Sequence, residues 1–178
     1  MNILSTLPIA SVNPAPLIDW SVPIMDWADI GIKLLLAAVL ASFLGWERGK
    51  SDKPAGIRTM VLVSVGAATF VLLGSKVMDA NMTGEVIRTD PTRVLAYIIS
   101  GVGFLGAGAI LHSKKTVKGL TTAASIWVVA AIGSSCGLGE YALAIMISII
   151  SFVSLLIPWV YTAITKEEIP AEEDHESI

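Results

Sequence analysis

Residues 120–138 read LTTAASIWVVAAIGSSCGL, a run without a charged side chain. A helix of roughly 20 apolar residues crosses the hydrocarbon core of a bilayer, so this run is long enough to span a membrane. Helix is the expected conformation because hydrocarbon offers backbone N–H and C=O groups no partners, and the run lacks the alternation of a membrane strand. The run therefore predicts a transmembrane helix.

Four more apolar runs accompany this one. The predicted spans cover about residues 30–46, 60–78, 94–111, 120–138 and 141–161. Of the 178 residues, 54% are hydrophobic and only 15% are charged, whereas a soluble domain usually has about 25% charged residues. The predicted fold class is all-α, a polytopic membrane bundle of about five transmembrane helices with almost nothing folded outside the bilayer.

The ends of the chain differ in composition from this transmembrane domain, residues 30–161. Residues 1–29 contain three prolines before Trp20 and are expected to form an irregular or interfacial lead, with Trp20 and Trp27 in an aromatic belt. Residues 162–178 are acidic and poor in hydrophobic residues, so a disordered tail is expected there.

The basic residues predict an orientation. Most of them fall in the loop after the first span and the loop after the third: Arg48, Lys50, Lys53, Arg58, Lys114, Lys115 and Lys118. Lysine and arginine are enriched in cytoplasmic loops. We therefore expect the N-terminus outside and the C-terminus in the cytoplasm.

Small residues recur on one side of several spans, where they let helix backbones approach closely. The sets are Ala37, Ala41 and Gly45 in the first span, Ala96, Ser100, Gly103 and Ala107 in the third, and Ala130, Ser134, Gly133 and Gly137 in the fourth. Packing within one chain is the favoured interpretation. The alternative is that some of these faces form a homodimer.

Polar residues at the membrane boundary are functional candidates, because burying them in a bilayer is costly. The predicted cytoplasmic-face cluster is Glu47, Arg48, Arg58, Lys118, Thr121 and Thr122, and Arg93 is the corresponding charge on the outer side. Glu47 near two arginines suits a structural clasp, or a site for phosphate or a lipid head group. Thr121 is interpreted as a helix-capping residue at an end that favours anions.

Several functions are disfavoured by what the spans lack. None carries a carboxylate near its middle, as a Mg²⁺ pathway or a proton-driven transporter usually does. The chain has one cysteine and two distant histidines, so no metal ligands can be assigned. No catalytic set and no basic field for nucleic acid appear, and neither an enzyme nor a cofactor is expected.

Several motifs, in order, resemble the MgtC/SapB family of bacterial inner-membrane proteins. They are GWER at residues 45–48, KPAGIRT at 53–59, SGVGFLGAGAI at 100–110, VKGLTTAASIW at 117–127 and CGLG at 136–139. The resemblance covers about residues 30–161 and implies a multi-pass protein of the bacterial inner membrane. Lys118 stands where the family usually has arginine, which loses a bidentate fork. Well-known members also carry a soluble C-terminal domain of ACT-like type, whereas only the acidic tail is expected here.

The resemblance implies a part in adaptation to low magnesium, with Mg²⁺ as a ligand or a signal, and in some pathogens survival inside host cells. The favoured hypothesis is a membrane regulator that acts through protein contacts, with the F-type ATP synthase as a candidate partner. One alternative is a Mg²⁺ transporter or channel subunit, using the outer carboxylates of Asp26, Asp29 and Glu140. Another is an anion- or lipid-binding membrane protein.

Overall fold

The computed structural model describes residues 24–50, 55–81, 92–112 and 117–165, and in these ranges the protein is a bundle of five helices. The helices are α1 (Ile24–Lys50), α2 (Ile57–Asn81), α3 (Thr92–Gly108), α4 (Leu120–Leu138) and α5 (Tyr141–Thr165). Two short antiparallel strands, β1 (Leu111–His112) and β2 (Val117–Lys118), join α3 to α4. The all-helical architecture with five helices is confirmed. The N-terminal lead up to residue 23 and the tail from residue 166 lie outside the described residues.

Helix α4 is the centre of the bundle and contacts each of the other four helices. Its second half is rich in glycine and serine, and residues 132–137 are all buried. Side chains this small leave room for neighbouring helices on every side. The most buried part of the central helix is therefore made mainly of small residues.

Helices α2 and α4 run parallel and their backbones touch. A Cβ at Gly133 would overlap the carbonyl oxygen of Ser64, and a Cβ at Gly137 would lie 2.8 Å from the carbonyl oxygen of Ala68. Helix α1 packs antiparallel to α2, and a Cβ at Gly45 would lie 2.5 Å from Cα of Ile57. Glycine at these positions is therefore what lets α1, α2 and α4 pack so closely.

Hydroxyl groups in this core find acceptors on the backbone. Ser64 Oγ donates to the carbonyl of Ala37 at 3.1 Å and so joins α2 to α1. Within α4, Ser125 and Ser135 donate to carbonyls four residues earlier in the helix. In an apolar core such groups must be satisfied locally, and these serines are.

The outside of the bundle is strongly apolar. Leu62, Phe104 and Ile150 are 72%, 80% and 66% exposed. Three helical segments are long and apolar enough to cross a membrane, namely Trp27–Gly49, Ile57–Lys76 and Leu120–Leu138, while the apolar described parts of α3 and α5 are shorter. Large exposed apolar surface is uncommon on soluble monomers and marks membrane or partner contact. The protein is therefore a membrane protein.

Several helix boundaries differ from the sequence prediction, and the largest difference is at the start of α1. Helix α1 begins at Ile24, inside the lead that was expected to be irregular. An i,i+4 ion pair of 2.6 Å joins Asp29 of this extension to Lys33 of the predicted span, and such pairs stabilise a helix. Helix α3 ends at Gly108 rather than Leu111, because Leu111 pairs with Lys118 in the two-stranded turn.

Candidate functional site

One end of the bundle gathers most of the predicted functional residues. We call it the charged end. It is defined by the last turn of α1, the first turns of α2 and α4, and the paired strands β1 and β2. These segments meet because α1 packs against the start of α2 at Gly45, and α3 packs against α4 where Gly106 approaches Ala123. Glu47, Arg48, Arg58, Lys118, Thr121 and Thr122 all lie at this end.

Two charged side chains at the charged end are buried. Arg48 is 5% exposed and Glu47 is 8% exposed. Arg48 continues the buried face of α1 formed by Ala37, Ala41 and Leu44, since spacings of four, three and four residues keep one side of a helix. The guanidinium is thus directed toward the bundle, where an unbalanced charge would be costly.

Glu47 supplies the balancing charge. Oε2 of Glu47 lies 3.9 Å from Nε of Arg48, a distance for an ion pair rather than a hydrogen bond. Within the described residues Nε of Arg48 has no hydrogen-bond partner. Removing one member of such a buried ion pair lowers the stability of the protein more than replacing both members with apolar residues does.

The predicted clasp includes Arg58, and here the structure differs. The side chain of Arg58, in the first turn of α2, is exposed, and so are those of Lys118 and Thr121, whereas Thr122 is buried. The six residues therefore form two groups. Glu47, Arg48 and Thr122 belong to the interior, and Arg58, Lys118 and Thr121 face outward.

The predicted capping role of Thr121 is wrong. Helix α4 is capped by Gly119, which has φ of 92° and makes no side-chain capping bond. A Cβ at Gly119 would also overlap the carbonyl oxygen of Ala109. Both the left-handed backbone and the close approach require glycine here, and this turn sets the direction in which α4 leaves β2.

The small-residue face of α3 does not pack within the bundle. Ala96, Ser100, Gly103 and Ala107 are all exposed, and a Cβ at Gly103 would meet nothing within 4 Å. The prediction of packing within the chain is therefore wrong for this face. The buried residues of α3 are Val102 and Gly106, which lie on another side of the helix.

The corresponding residues of α1 and α4 are buried. Ala37, Ala41 and Gly45 lie on the side of α1 that meets α2 and α4, and Gly133 and Gly137 lie against α2. The contrast with α3 is not visible in the sequence, because the spacing of small residues is similar in all three helices. Which face turns inward depends on how the helices are arranged.

An apolar groove between α2 and α3 was missed from the sequence. Its volume is about 650 Å³, and the residues lining it are Leu62, Val63, Gly66, Ala67, Phe70, Val94, Tyr97, Ile98, Gly101, Val102 and Leu105. These residue types are ordinary for a membrane helix. No motif signals the groove, which arises because α3 leans on α4 and diverges from α2.

The opposite end of the bundle carries separate charges. Arg93 is exposed in the first turn of α3. Lys76 of α2 lies over the ring of Trp27 of α1, with Nζ 5.5 Å from the ring centroid, a distance suited to a cation–π contact. Among the described residues, no group of three or more His, Cys, Asp or Glu side chains could hold a metal ion.

Comparison with known proteins now assigns the family. The family model described as MgtC family matches residues 34–161, which include all of the helical core and the charged end. The chain belongs to the MgtC family. The resemblance seen in the sequence motifs is thereby confirmed.

Individual relatives are similar to this MgtC-family chain over more than two-thirds of its length. A protein of Escherichia coli K12 named "Putative magnesium transporter YhiD" is 41% identical over 128 residues, 72% of this chain and 60% of that protein. "Protein MgtC" of Brucella abortus is 44% identical over 126 residues, 70% of this chain and 50% of that protein. The chain thus spans between half and three-fifths of the length of these relatives. No solved structure matches it.

Proposed function

We propose that this protein serves adaptation to low magnesium as a membrane regulator that acts through contacts with another protein in the bilayer. The family and the magnesium in the name of the Escherichia coli relative support the biological setting. The observation that carries the mode of action is the outward small-residue face of α3. A face of this kind is built for close helix contact, and the bundle leaves it uncovered.

The face is suited to a helix from a partner rather than to lipid alone. Small side chains lower the surface of α3, so that another helix backbone can approach closely and gain van der Waals contact and interhelical hydrogen bonds. Ser100 lies in the middle of the face and can donate such a bond. Phe104, at 80% exposure, lies beside the face and widens the contact.

Photo-crosslinking tests this proposal. A photoreactive amino acid at Phe104 should give a specific adduct in native membranes of cells grown in low Mg²⁺. Ala107→Leu should abolish the adduct by filling the face. Ala142→Leu is the matched control, because Ala142 of α5 is also an exposed helical alanine. Absence of any adduct, or an adduct that Ala107→Leu and Ala142→Leu affect equally, would refute the proposal.

The partner we propose is the F-type ATP synthase, which the family resemblance implies. If this is right, the adduct contains a subunit of that enzyme. ATP-driven proton pumping in inverted membrane vesicles should then fall when the wild-type protein is present and recover with Ala107→Leu. If the adduct contains a different membrane protein, the proposed contact through α3 stands but the ATP synthase is not the partner.

We also propose the topology in which α1 to α5 each cross the inner membrane, with the N-terminus outside. The lysines and arginines that the sequence places near the junctions of α1 with α2 and of α3 with α4 support this orientation. A membrane-impermeant maleimide applied to intact cells should label Glu140→Cys but not Thr59→Cys; both positions are exposed. The reverse labelling pattern would invert the topology.

A second candidate function is transport of Mg²⁺, which the name of the Escherichia coli relative favours. The carboxylate of Asp29 could meet the ion first, although Lys33 lies 2.6 Å from it and offsets its charge. Liposomes that hold only the purified protein separate the two functions. Uptake of Mg²⁺ above that of empty liposomes would favour transport, and the regulator proposal expects none.

A further inference from the structure

The groove between α2 and α3 is closed at one end and open at the other. Near the end of the bundle opposite to the charged end, the two helices touch, since a Cβ at Gly74 would lie 2.7 Å from Cγ2 of Val94. Toward the charged end they separate, and a Cβ at Gly66 or at Gly101 would meet nothing within 4 Å. The groove therefore opens toward the charged end.

An arginine lies at that open end. Arg58 precedes Leu62, a residue of the groove wall, by four residues, so the two side chains lie one above the other on α2. Helical side chains lean toward the N-terminus of the helix, which directs the exposed guanidinium away from the apolar groove and toward the membrane surface. The result is an apolar groove with a cation at its mouth.

We propose that the groove binds one acyl chain of an anionic phospholipid, whose phosphate is held by Arg58. A phospholipid matches this arrangement of a cation in front of an apolar groove. The guanidinium can bind the phosphate of the head group, and the groove wall can contact the acyl chain. This site does not depend on the protein partner proposed above.

The length of the groove suits an extended acyl chain. On α3 it runs from Val94 to Leu105, which at 1.5 Å per residue is about 16 Å. An acyl chain that enters from the charged end can lie along this length toward the closed end at Val94.

The volume agrees as well. A methylene group is close in size to a water molecule, about 30 Å³, so a chain of about 18 carbons has a volume of about 540 Å³, of the same order as the 650 Å³ of the groove. A helix about 10 Å across would need about 1,300 Å³ over the same length. The groove thus holds a chain, whereas a partner helix is better placed on the small-residue face of α3, which is turned away from the groove by roughly 200°.

Native mass spectrometry of the purified full chain tests the site. The probes are dioleoyl phosphatidylglycerol, which is anionic, and dioleoyl phosphatidylcholine, which has no net charge. We expect the wild-type protein to retain phosphatidylglycerol about fivefold more tightly, the effect of one basic residue near a lipid head group. Arg58→Gln should remove this preference. Arg93→Gln, at the closed end of the groove, should leave it unchanged.

A second pair of variants tests the groove itself. Gly101→Leu places a side chain in the groove and should weaken retention of both lipids. Gly103→Leu is the matched control, because Gly103 is also a helical glycine with open space around it but lies on the outward face of α3. Equal lipid retention by Gly101→Leu and Gly103→Leu would overturn the groove as the binding site. A preference for phosphatidylglycerol that survives Arg58→Gln would overturn the role of Arg58.

Discussion

Replacing Gly133 by alanine adds one methyl group where α4 meets the backbone of α2. The new Cβ would overlap the carbonyl oxygen of Ser64 and lie 2.7 Å from its carbonyl carbon and 2.9 Å from its Cα, whereas ordinary contacts begin near 3.4 Å. All three obstacles are backbone atoms, so no side chain can move aside. The two helices must separate by about 1 Å, and close-packed interiors tolerate such shifts poorly.

The expected loss of stability follows from these contacts. Over-packing of a core costs about 1–3 kcal/mol. Movement of α2 also strains the 3.1 Å hydrogen bond from Ser64 to Ala37, and interhelical bonds in membranes contribute about 0.6 kcal/mol. Alanine regains about 0.5–1 kcal/mol relative to glycine within a helix. We therefore expect Gly133→Ala to lower the free energy of unfolding by about 1–3 kcal/mol.

Thermal unfolding in detergent measures this effect. Cys136 is the one cysteine of the chain and is fully buried, so a thiol-reactive dye reports the opening of the core. For a destabilisation of about 2 kcal/mol the Tm should fall by about 4–8 °C. Gly103→Ala is the control, and because a Cβ there meets nothing, its Tm should stay the same or rise. If Gly133→Ala and Gly103→Ala have the same Tm, the close contact of α2 and α4 is not as described.

Other positions give further tests. Arg48→Ala should lower the free energy of unfolding by about 3–5 kcal/mol, because the buried carboxylate of Glu47 loses the adjacent guanidinium. A double variant with Glu47→Gln and Arg48→Met should recover much of this loss in the same dye assay. A further loss of stability in the double variant would contradict the ion pair. Arg58→Ala should change the free energy of unfolding by less than about 0.5 kcal/mol, as expected for an exposed side chain; a large drop in Tm would place Arg58 in the interior. Gly119→Ala should cost about 1–2 kcal/mol for the left-handed backbone alone and more for the clash with Ala109; an unchanged Tm would show that this turn can rearrange freely.

The helices could be predicted from the sequence because each is a long apolar run between polar turns. For α4 the prediction of residues 120–138 agrees with the structure, since Gly119 and Gly139 stop the helix at both ends with positive φ. The end of α3 could not be predicted in this way. Leu111 is apolar enough to continue the helix, but its pairing with Lys118 is a contact between residues seven apart that hydropathy does not record.

The candidate site was predictable as a set of residues but not as an arrangement. The motifs point to Glu47, Arg48 and Arg58 together, yet burial separates Arg58 from the other two. The same holds for the small residues, which pack inward on α1 and α4 but face outward on α3. Periodicity identifies the residues that share a face, and only the arrangement of the helices decides which faces are covered.

The composition of α4 has a consequence for biosynthesis. It is the most buried of the three candidate spans and also the least hydropathic, because its buried residues include two glycines, three serines and one alanine. Insertion of a segment into the bilayer is favoured by leucine, isoleucine, phenylalanine and valine, so α4 gains less from lipid than α1 and α2 do. We therefore expect α1 and α2 to insert first and independently during synthesis. We expect α4 to be stable in the membrane only when it can pack against the glycine- and alanine-lined surfaces of α1 and α2.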